Sequence, residues 1–450
     1  MKLYTRNIIL LFFIINYGFG QAQDSFYFEK NKSDKIDFEL IGNLIIIPLE
    51  INNVSLSFVL DTGVSKPILF NIKETDTIGL KNIETFFLYG LGGNGKLEAL
   101  KSTGNAFRFG DITLFNKDLF VVYDEDINFT PRLGVLVHGI IGYDIFKNFI
   151  VEINYTSKFI RLHKPDTFKP KRSRRWVTLP LEINNKKPYL DAKVVLSDMG
   201  KKVKLLLDTG SSDAVWLFED KEKGISPEKE LVFRDYLGKG LSGSVYGQRS
   251  KLKRFKIGEF ELERVNVAFP DSASVDKTKI VKERSGSLGG DILKRFNCFI
   301  DYTNSKIHLK RNRYFKEPFT YNNSGIVLEH NGIMFVKEEI NIPVKAYGRS
   351  SEGAISINQY VNYMTTVKPA YEIVEVRKSS NAYAVGLRKG DVLISVNGKK
   401  AYEYKLSDIN ELLHGRTGKT IKIQVDRYGL KKSFKFELDN VFTKKEPSVN

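Results

Sequence analysis

A chain of 450 residues, 42% hydrophobic and 27% charged, exceeds one ordinary hydrophobic core. Two or three folded domains are expected, and the balance excludes long disordered tracts. The net charge of +17 suits anionic surfaces, but no nucleic-acid motif accompanies it, so it reads as a solvated basic exterior. A single cysteine, Cys298, and five scattered histidines exclude an internal disulfide and give no pair at metal-ligand spacing, so neither a metal nor a cofactor is expected.

The N-terminus carries Lys2 and Arg6, an apolar run from Ile8 to Ile15, and small residues at Gly18, Gly20 and Ala22. That is the layout of a secretory signal over residues 1–22, cleaved after Ala22. The run falls short of the roughly 20 residues that cross a bilayer, so no transmembrane span remains after cleavage. No cysteine stands near the cleavage point to accept a lipid. The expected location is exported, periplasmic or extracellular. Residues 23–42 form an N-terminal extension.

An internal repeat then fills the first three hundred residues. The phrase Pro48-Leu49-Glu50-Ile51-Asn52-Asn53 returns as Pro180-Leu181-Glu182-Ile183-Asn184-Asn185. Phe58-Val59-Leu60-Asp61-Thr62-Gly63 is answered by Leu205-Leu206-Leu207-Asp208-Thr209-Gly210, 147 positions on, and Gly142 to Thr156 by Gly289 to Thr303 in the same register. The first phrase recurs after only 132 positions, which predicts 15 extra residues in the second copy, Leu190 to Lys202 among them. Two copies imply two lobes about a pseudo-twofold axis, spanning 43–165 and 176–315, joined by an exposed basic linker over 166–175.

Within each copy the signals are short strands rich in β-branched and aromatic residues: Leu44 to Ile47, Leu56 to Leu60, Leu119 to Tyr123 and Phe149 to Ile153 in the first. Glycine clusters at Gly90 to Gly95 and Gly238 to Gly243 predict a hairpin tip in each lobe. A short helix follows each later glycine, at Asp144 to Asn148 and Asp291 to Arg295. The fold class is all-β with minor helix.

The chemistry is carried by Asp61-Thr62-Gly63 and Asp208-Thr209-Gly210. An apolar strand ending in this tripeptide sets a carboxylate just beyond a buried strand, and the glycine allows a tight turn whose N–H groups face it. Such a tripeptide arises about once in several thousand positions; two on duplicate positions are not chance. Twofold symmetry can bring the turns face to face, and carboxylates that close share one proton. A water held between them is activated by the ionised aspartate while the protonated one donates to a carbonyl oxygen. The sequence offers no Gly-x-Ser-x-Gly elbow, and Cys298 lies in an apolar strand as a structural thiol.

On these motifs residues 43–315 resemble the pepsin-like and retropepsin-like aspartic peptidases, as two fused retropepsin-type lobes. The resemblance implies that Asp61 and Asp208 are catalytic, with Thr62, Gly63, Thr209, Gly210 and Ser211 completing the turns. It implies that Thr62 and Thr209 interlock across the axis, and that Ile140-Ile141-Gly142 and Ser287-Leu288-Gly289 are the loops bracing each turn. It implies flaps over the substrate near Gly92, Gly93, Gly240 and Gly243, with Tyr89 or Tyr246 as flap tyrosine. Two departures stand out: Val64 where the family often has a hydroxyl, and Ser287 in place of an apolar residue. The Val64/Ser211 difference predicts that a Ser211 hydroxyl makes Asp208 the more readily ionised carboxylate. The extension segment Asp24 to Asp37 is short for a propeptide but has the length to cover a cleft.

Residues 324–438 form a third unit, followed by a tail over 439–450. Tyr371 to Val376, Asp391 to Val396 and the helical stretches Asn381 to Leu387 and Leu406 to His414 make a small α/β domain. Gly386 to Gly398 resembles the central signature of bacterial PDZ domains, which implies peptide capture by strand addition; the other reading of this unit is a purely structural appendage. The Gly-Leu-Gly-Phe-like carboxylate loop is missing, and Ala346 to Asn358 reads as an insertion. The expected partners are a polypeptide substrate and a peptide C-terminus or protein at the PDZ-like domain, with no specific nucleic acid. A single chain supplies both halves of the site, so a monomer is expected. The expected function is an aspartic endopeptidase; the other reading is a non-catalytic peptide-binding protein on the same fold.

Overall fold

The computed structural model describes residues 26–28, 34–71, 78–89, 96–123, 128–169, 173–196, 200–240, 243–274, 283–340 and 362–442. The chain is built mostly of strands, as two duplicated β lobes and a small C-terminal domain. Among the described residues no helix is long and apolar enough to cross a membrane.

The strand ending in each Asp-Thr-Gly lies inside its lobe's sheet. Val54–Leu60 runs parallel to Gly139–Ile141, with Phe58 opposite Gly139 and Leu60 opposite Ile141. Gly200–Leu207 runs parallel to Arg284–Leu288, with Leu205 opposite Gly286 and Leu207 opposite Leu288. Phe58, Val59 and Leu60 are all buried, as are Leu205, Leu206 and Leu207. An unbroken apolar run fits a strand covered on both faces. Short helices, Tyr143–Phe146 and Gly290–Leu293, follow the bracing strands, close to the predicted positions.

The structure corrects the alignment of the opening phrase. Pro48 to Ile51 lies on Leu44–Ile51, the antiparallel neighbour of the Asp61 strand. Glu182–Asn184 lies one strand earlier and pairs with Lys187–Val195, the true neighbour of the Asp208 strand. Its counterpart in the first lobe is Glu39–Ile41. Each phrase encodes the same local object, a strand closed by a two-residue turn with both residues at positive φ: 50° and 71° at Asn52 and Asn53, 49° and 66° at Asn185 and Lys186. A local code repeated on different hairpins mimics descent from one position. The second lobe's real excess lies in its hairpin connection, which joins Val194 to Lys201 where the first lobe joins Ile51 to Val54.

A third sheet joins the lobes. Its order is Val177–Pro180, Lys306–Arg311, Phe296–Asp301, Ile150–Asn154, Phe159–His163 and Lys35–Asp37. Val151 pairs with Ile300, Glu152 with Phe299 and Ile153 with Cys298. In the 147-residue register Val151 matches Cys298 and Ile153 matches Ile300, so the pairing is self-complementary about Glu152 and Phe299, as an isologous contact is. Cys298 is buried there, and desolvation pushes its thiol up to about 12.

The predicted boundaries shift as well. Lys35–Asp37 and Glu39–Ile41 are integral strands of the body rather than parts of a covering extension. The linker is not simply exposed, because Phe168 packs on His163 and Phe299, with Trp176 on Phe299. The C-terminal domain has the sheet order Ile326–Ile340, Asn362–Val376, Val392–Val396, Thr420–Arg427, Leu430–Glu437. Its helix Leu406–Leu413 buries Leu406, Ile409 and Leu413. The tail is docked at its start: Phe442 packs edge-on against Phe233 of the second lobe and against Tyr321, between that lobe and the C-terminal domain. The segment Ala346 to Asn358 and residues 1–22, the expected secretory signal, lie outside the described residues.

Candidate active site

The two Asp-Thr-Gly turns meet on the pseudo-twofold axis. The Thr62 hydroxyl donates to the Leu207 carbonyl at 2.5 Å and accepts the Thr209 N–H at 3.1 Å. The Thr209 hydroxyl returns both bonds, to the Leu60 carbonyl at 2.7 Å and from the Thr62 N–H at 3.0 Å. Both threonines are buried. Four buried backbone groups at strand ends that would otherwise lack partners are thereby satisfied. Tyr302 lies beneath, its hydroxyl donating to the Thr62 carbonyl at 3.4 Å.

This lattice sets Asp61 and Asp208 side by side, each half-buried, and a Cβ on Gly63 would stand 3.0 Å from Asp61 Oδ1 and 3.3 Å from Asp208 Oδ1. Asp61 Oδ1 accepts the Gly63 N–H at 2.6 Å, and Asp208 Oδ1 accepts the Gly210 N–H at 3.1 Å. A Cβ on Gly210 would stand 2.2 Å from the Asp61 carboxyl, so only glycine permits this approach. The bracing loops hold the turns from behind. Asp61 N–H donates to the Ile141 carbonyl at 2.8 Å and Asp208 N–H to that of Leu288 at 2.9 Å. Tyr143 N–H reaches the Val64 carbonyl, and Gly290 N–H that of Ser211. A Cβ on Gly142 would fall 1.9 Å from the Asp61 carbonyl oxygen; one on Gly289 would fall 2.2 Å from that of Asp213.

The carboxyls are electrostatically unequal. Desolvation, then the charge of Asp208, raise Asp61 to about 7, against the pull of the Gly63 N–H and Lys187. Desolvation also raises Asp208, but Arg284, then Lys187 and the Gly210 N–H, oppose it. Asp61 therefore holds the shared proton, the order expected from the sequence, but the cause is different. Among the described residues Ser211 makes no hydrogen bond to Asp208; Lys187 lowers both carboxyls, and Arg284, which acts on Asp208, supplies the asymmetry. Neither was singled out in the sequence, because both belong to strands and become neighbours of the carboxyls only through sheet register.

The flap candidates separate. Gly92 and Gly93 lie outside the described residues, as does the side chain of Tyr89, although Tyr89 pairs with Lys96 at the end of its hairpin. Gly240 pairs with Gly243 at the end of the second hairpin. Tyr246 packs on Tyr236 and lies beside Glu375 of the C-terminal domain, and burial followed by that carboxylate raises its pKa. It stands on that same hairpin, across from Tyr236, and its neighbours also include the C-terminal domain.

Behind the second turn runs a charged chain. Trp216 Nε1 donates to Asp213 at 2.6 Å; Arg249 bridges Asp213 and Asp235, each at 2.9 Å; Arg377 of the C-terminal domain lies 3.8 Å from Asp235. Further round, the helix Thr130–Leu133 of the first lobe packs against the edge strand Ile326–Ile340. Gly134 abuts Leu406, on the helix flanking that edge.

The family comparisons agree with this arrangement. An aspartyl protease family model matches residues 47–145 and 192–292, and a PDZ domain model matches 372–427. No curated protein matches the chain. Among solved structures, the aspartic proteinase from Irpex lacteus matches with 12% identity and a TM-score of 0.40, over 63% of this chain and 99% of that one. By the two family models, the chain is built of two aspartyl protease segments, one holding Asp61 and the other Asp208, followed by a C-terminal PDZ domain.

Proposed function

We propose that the protein is an exported aspartic endopeptidase that hydrolyses internal peptide bonds. The supporting observation is the pair of adjacent carboxyls, unequal in proton affinity and held by a reciprocal threonine lattice. Asp208 is the ionised partner that takes a proton from a water held between the two, and that water attacks the carbonyl carbon of the bound amide. Asp61 gives its proton to the carbonyl oxygen. The tetrahedral intermediate then collapses with departure of the amine, which takes up a proton at the dyad. The reading of Lys2 to Ala22 as a secretory signal supports export to the periplasm or the exterior.

The PDZ domain recruits or orients substrate by adding a peptide strand at its Ile326–Ile340 edge. The Thr130–Leu133 helix lies against that edge, so strand addition and the seating of the first lobe are linked. Both halves of the site come from one chain, which suits a monomeric enzyme.

The test is incubation of purified protein with an unfolded polypeptide, with and without an inhibitor that mimics the tetrahedral intermediate. Internal cleavage abolished by the inhibitor is expected. Peptide binding without cleavage would leave the non-catalytic peptide-binding reading.

A further inference from the structure

The two lobes differ where matching positions face the dyad. Ile46 pairs with Val59, and Tyr189 with Leu206. Carried two residues on, these registers set Leu44 across from Asp61 and Lys187 across from Asp208. On the other flank Ile140 pairs with Val59 and Ser287 with Leu206. In the first lobe Leu44, Ile46, Val59, Val137 and Ile140 pack as one apolar cluster. In the second lobe the matching positions are Lys187, Tyr189, Leu206, Arg284 and Ser287. A leucine and a valine 9% and 0% exposed have therefore given way to two cations.

Arg284 is a held group. Its Nη2 donates to Ser287 Oγ at 2.7 Å and its Nε to the Gly286 carbonyl at 2.9 Å, and its guanidinium lies 5.2 Å from the Phe218 ring centroid. This accounts for Ser287 in the bracing loop, where the family pattern has an apolar residue: its hydroxyl orients the arginine. Two anchored N–H groups leave the rest of the five-donor fork uncommitted. Lys187 forms no hydrogen bond or ion pair among the described residues, and burial followed by the Arg284 charge lowers its pKa. Neither cation has an ion-pair partner among the described residues, and each interacts with the dyad by charge.

A dyad that keeps one proton carries one negative charge, against two cations. The local excess is positive, and a cation shielded from water without a full counter-charge is unfavourable until an anion arrives. The anion has to be part of a chain bound across the dyad, since these two residues flank Asp208 itself.

We propose that Lys187 and Arg284 form a subsite for a carboxylate on the substrate, an Asp or Glu side chain within about two residues of the scissile amide. This rests on the peptidase reading. Aspartyl protease chemistry requires no such preference; the second lobe's departure from the first creates it. Binding that carboxylate neutralises the excess charge and uses the uncommitted in-plane N–H donors of the guanidinium, whose planar fork matches carboxylate geometry.

The experiment uses a library of C-terminally amidated peptides, so that no chain terminus supplies the carboxylate, with products sequenced by mass spectrometry. Enrichment of Glu or Asp at one position beside the cleaved bond is expected. For a matched peptide pair, kcat/KM for Glu should exceed that for Gln about tenfold, the scale of one charge-assisted contact. Lys187→Met and Arg284→Met introduce apolar side chains of the kind that the first lobe carries there, and each should bring the Glu/Gln ratio towards one. Lys187→Arg should retain most of it. Cleavage with no acidic preference overturns the subsite. So does an unchanged ratio in both Met variants, even if their pH–rate profiles move, because the cations would then only tune the dyad. A parallel measurement of Glu and Gln peptide binding to Asp61→Asn protein separates the two proposals. Discrimination in binding without any cleavage by the wild type would remove the peptidase reading and keep the subsite; neither cleavage nor discrimination would remove both.

Discussion

Arg377 of the PDZ domain lies 3.8 Å from Asp235 of the second protease lobe, and Arg249 joins Asp235 to Asp213, five residues beyond Asp208. The C-terminal domain is therefore wired to the back of the second Asp-Thr-Gly turn. Arg377 and Asp235 are largely shielded from water, 7% and 18% exposed at the side chain, so the pair is not an ordinary surface contact. Arg377→Met should destabilise the protein by about 2 kcal/mol, since Asp235 loses one of two cationic partners while remaining desolvated. Denaturant unfolding checks it, and an unchanged midpoint would show the contact to be idle. For the same reason, removal of residues 324–450 should destabilise the second lobe, because Phe233 and Tyr321 lose the ring of Phe442 as well.

Asp61→Asn and Asp208→Asn should each abolish peptide hydrolysis while the protein stays folded, because one carboxyl cannot both activate water and protonate the carbonyl. Circular dichroism and a cleavage assay on the same samples decide it. Near-normal turnover by either variant would count against the dyad.

The pH dependence has a defined sign. Asp61 is raised from 3.8 to about 7, so wild-type activity should fall as pH rises through about 7 and the shared proton leaves. Arg284 lowers Asp208 where Ser211 does not; Arg284→Met should move the acid limb upward, and Ser211→Ala should leave it in place. For stability, the native state binds the Asp61 proton more tightly than the unfolded chain does. The Asp61 contribution is therefore fully favourable below about 4 and is lost as pH climbs towards about 7. Asp61→Asn should lack that decline, which melting temperatures across this range would show.

Thr209→Val should cost about 2 to 4 kcal/mol, because the Leu60 carbonyl and the Thr62 N–H both lose their partner in a buried site. Thr209→Ser keeps the hydroxyl and should recover most of that loss. Equal unfolding midpoints for Val and Ser would mean that the lattice is held by packing rather than by hydrogen bonds.

Gly142→Ala should destabilise the first lobe by about 3 kcal/mol, since its Cβ would fall 1.9 Å from the Asp61 carbonyl oxygen and 2.8 Å from that of Val64. Both obstacles are backbone and cannot rotate aside. Activity should fall further than stability, because relief of the clash displaces Asp61; a variant of unchanged stability and turnover would contradict the close approach.

Much of this protein was legible in its residues. Two apolar runs ending in Asp-Thr-Gly at one offset, with a matched glycine loop after each, determined the duplication, the lobes and the paired carboxyls, because strand burial and tight turns are local properties. The Gly386 to Gly398 signature determined the C-terminal domain in the same way. Pro48 to Asn53 and Pro180 to Asn185 misled for that very reason: a strand closed by a left-handed turn is a local code, and two different hairpins use it. Only the tertiary structure decided which residues sit across from the aspartates. Lys187 and Arg284 reach the dyad through sheet register, and Arg377 reaches Asp235 through the docking of one domain on another. Those neighbours are set by packing between segments far apart in the chain, which no spacing along it records.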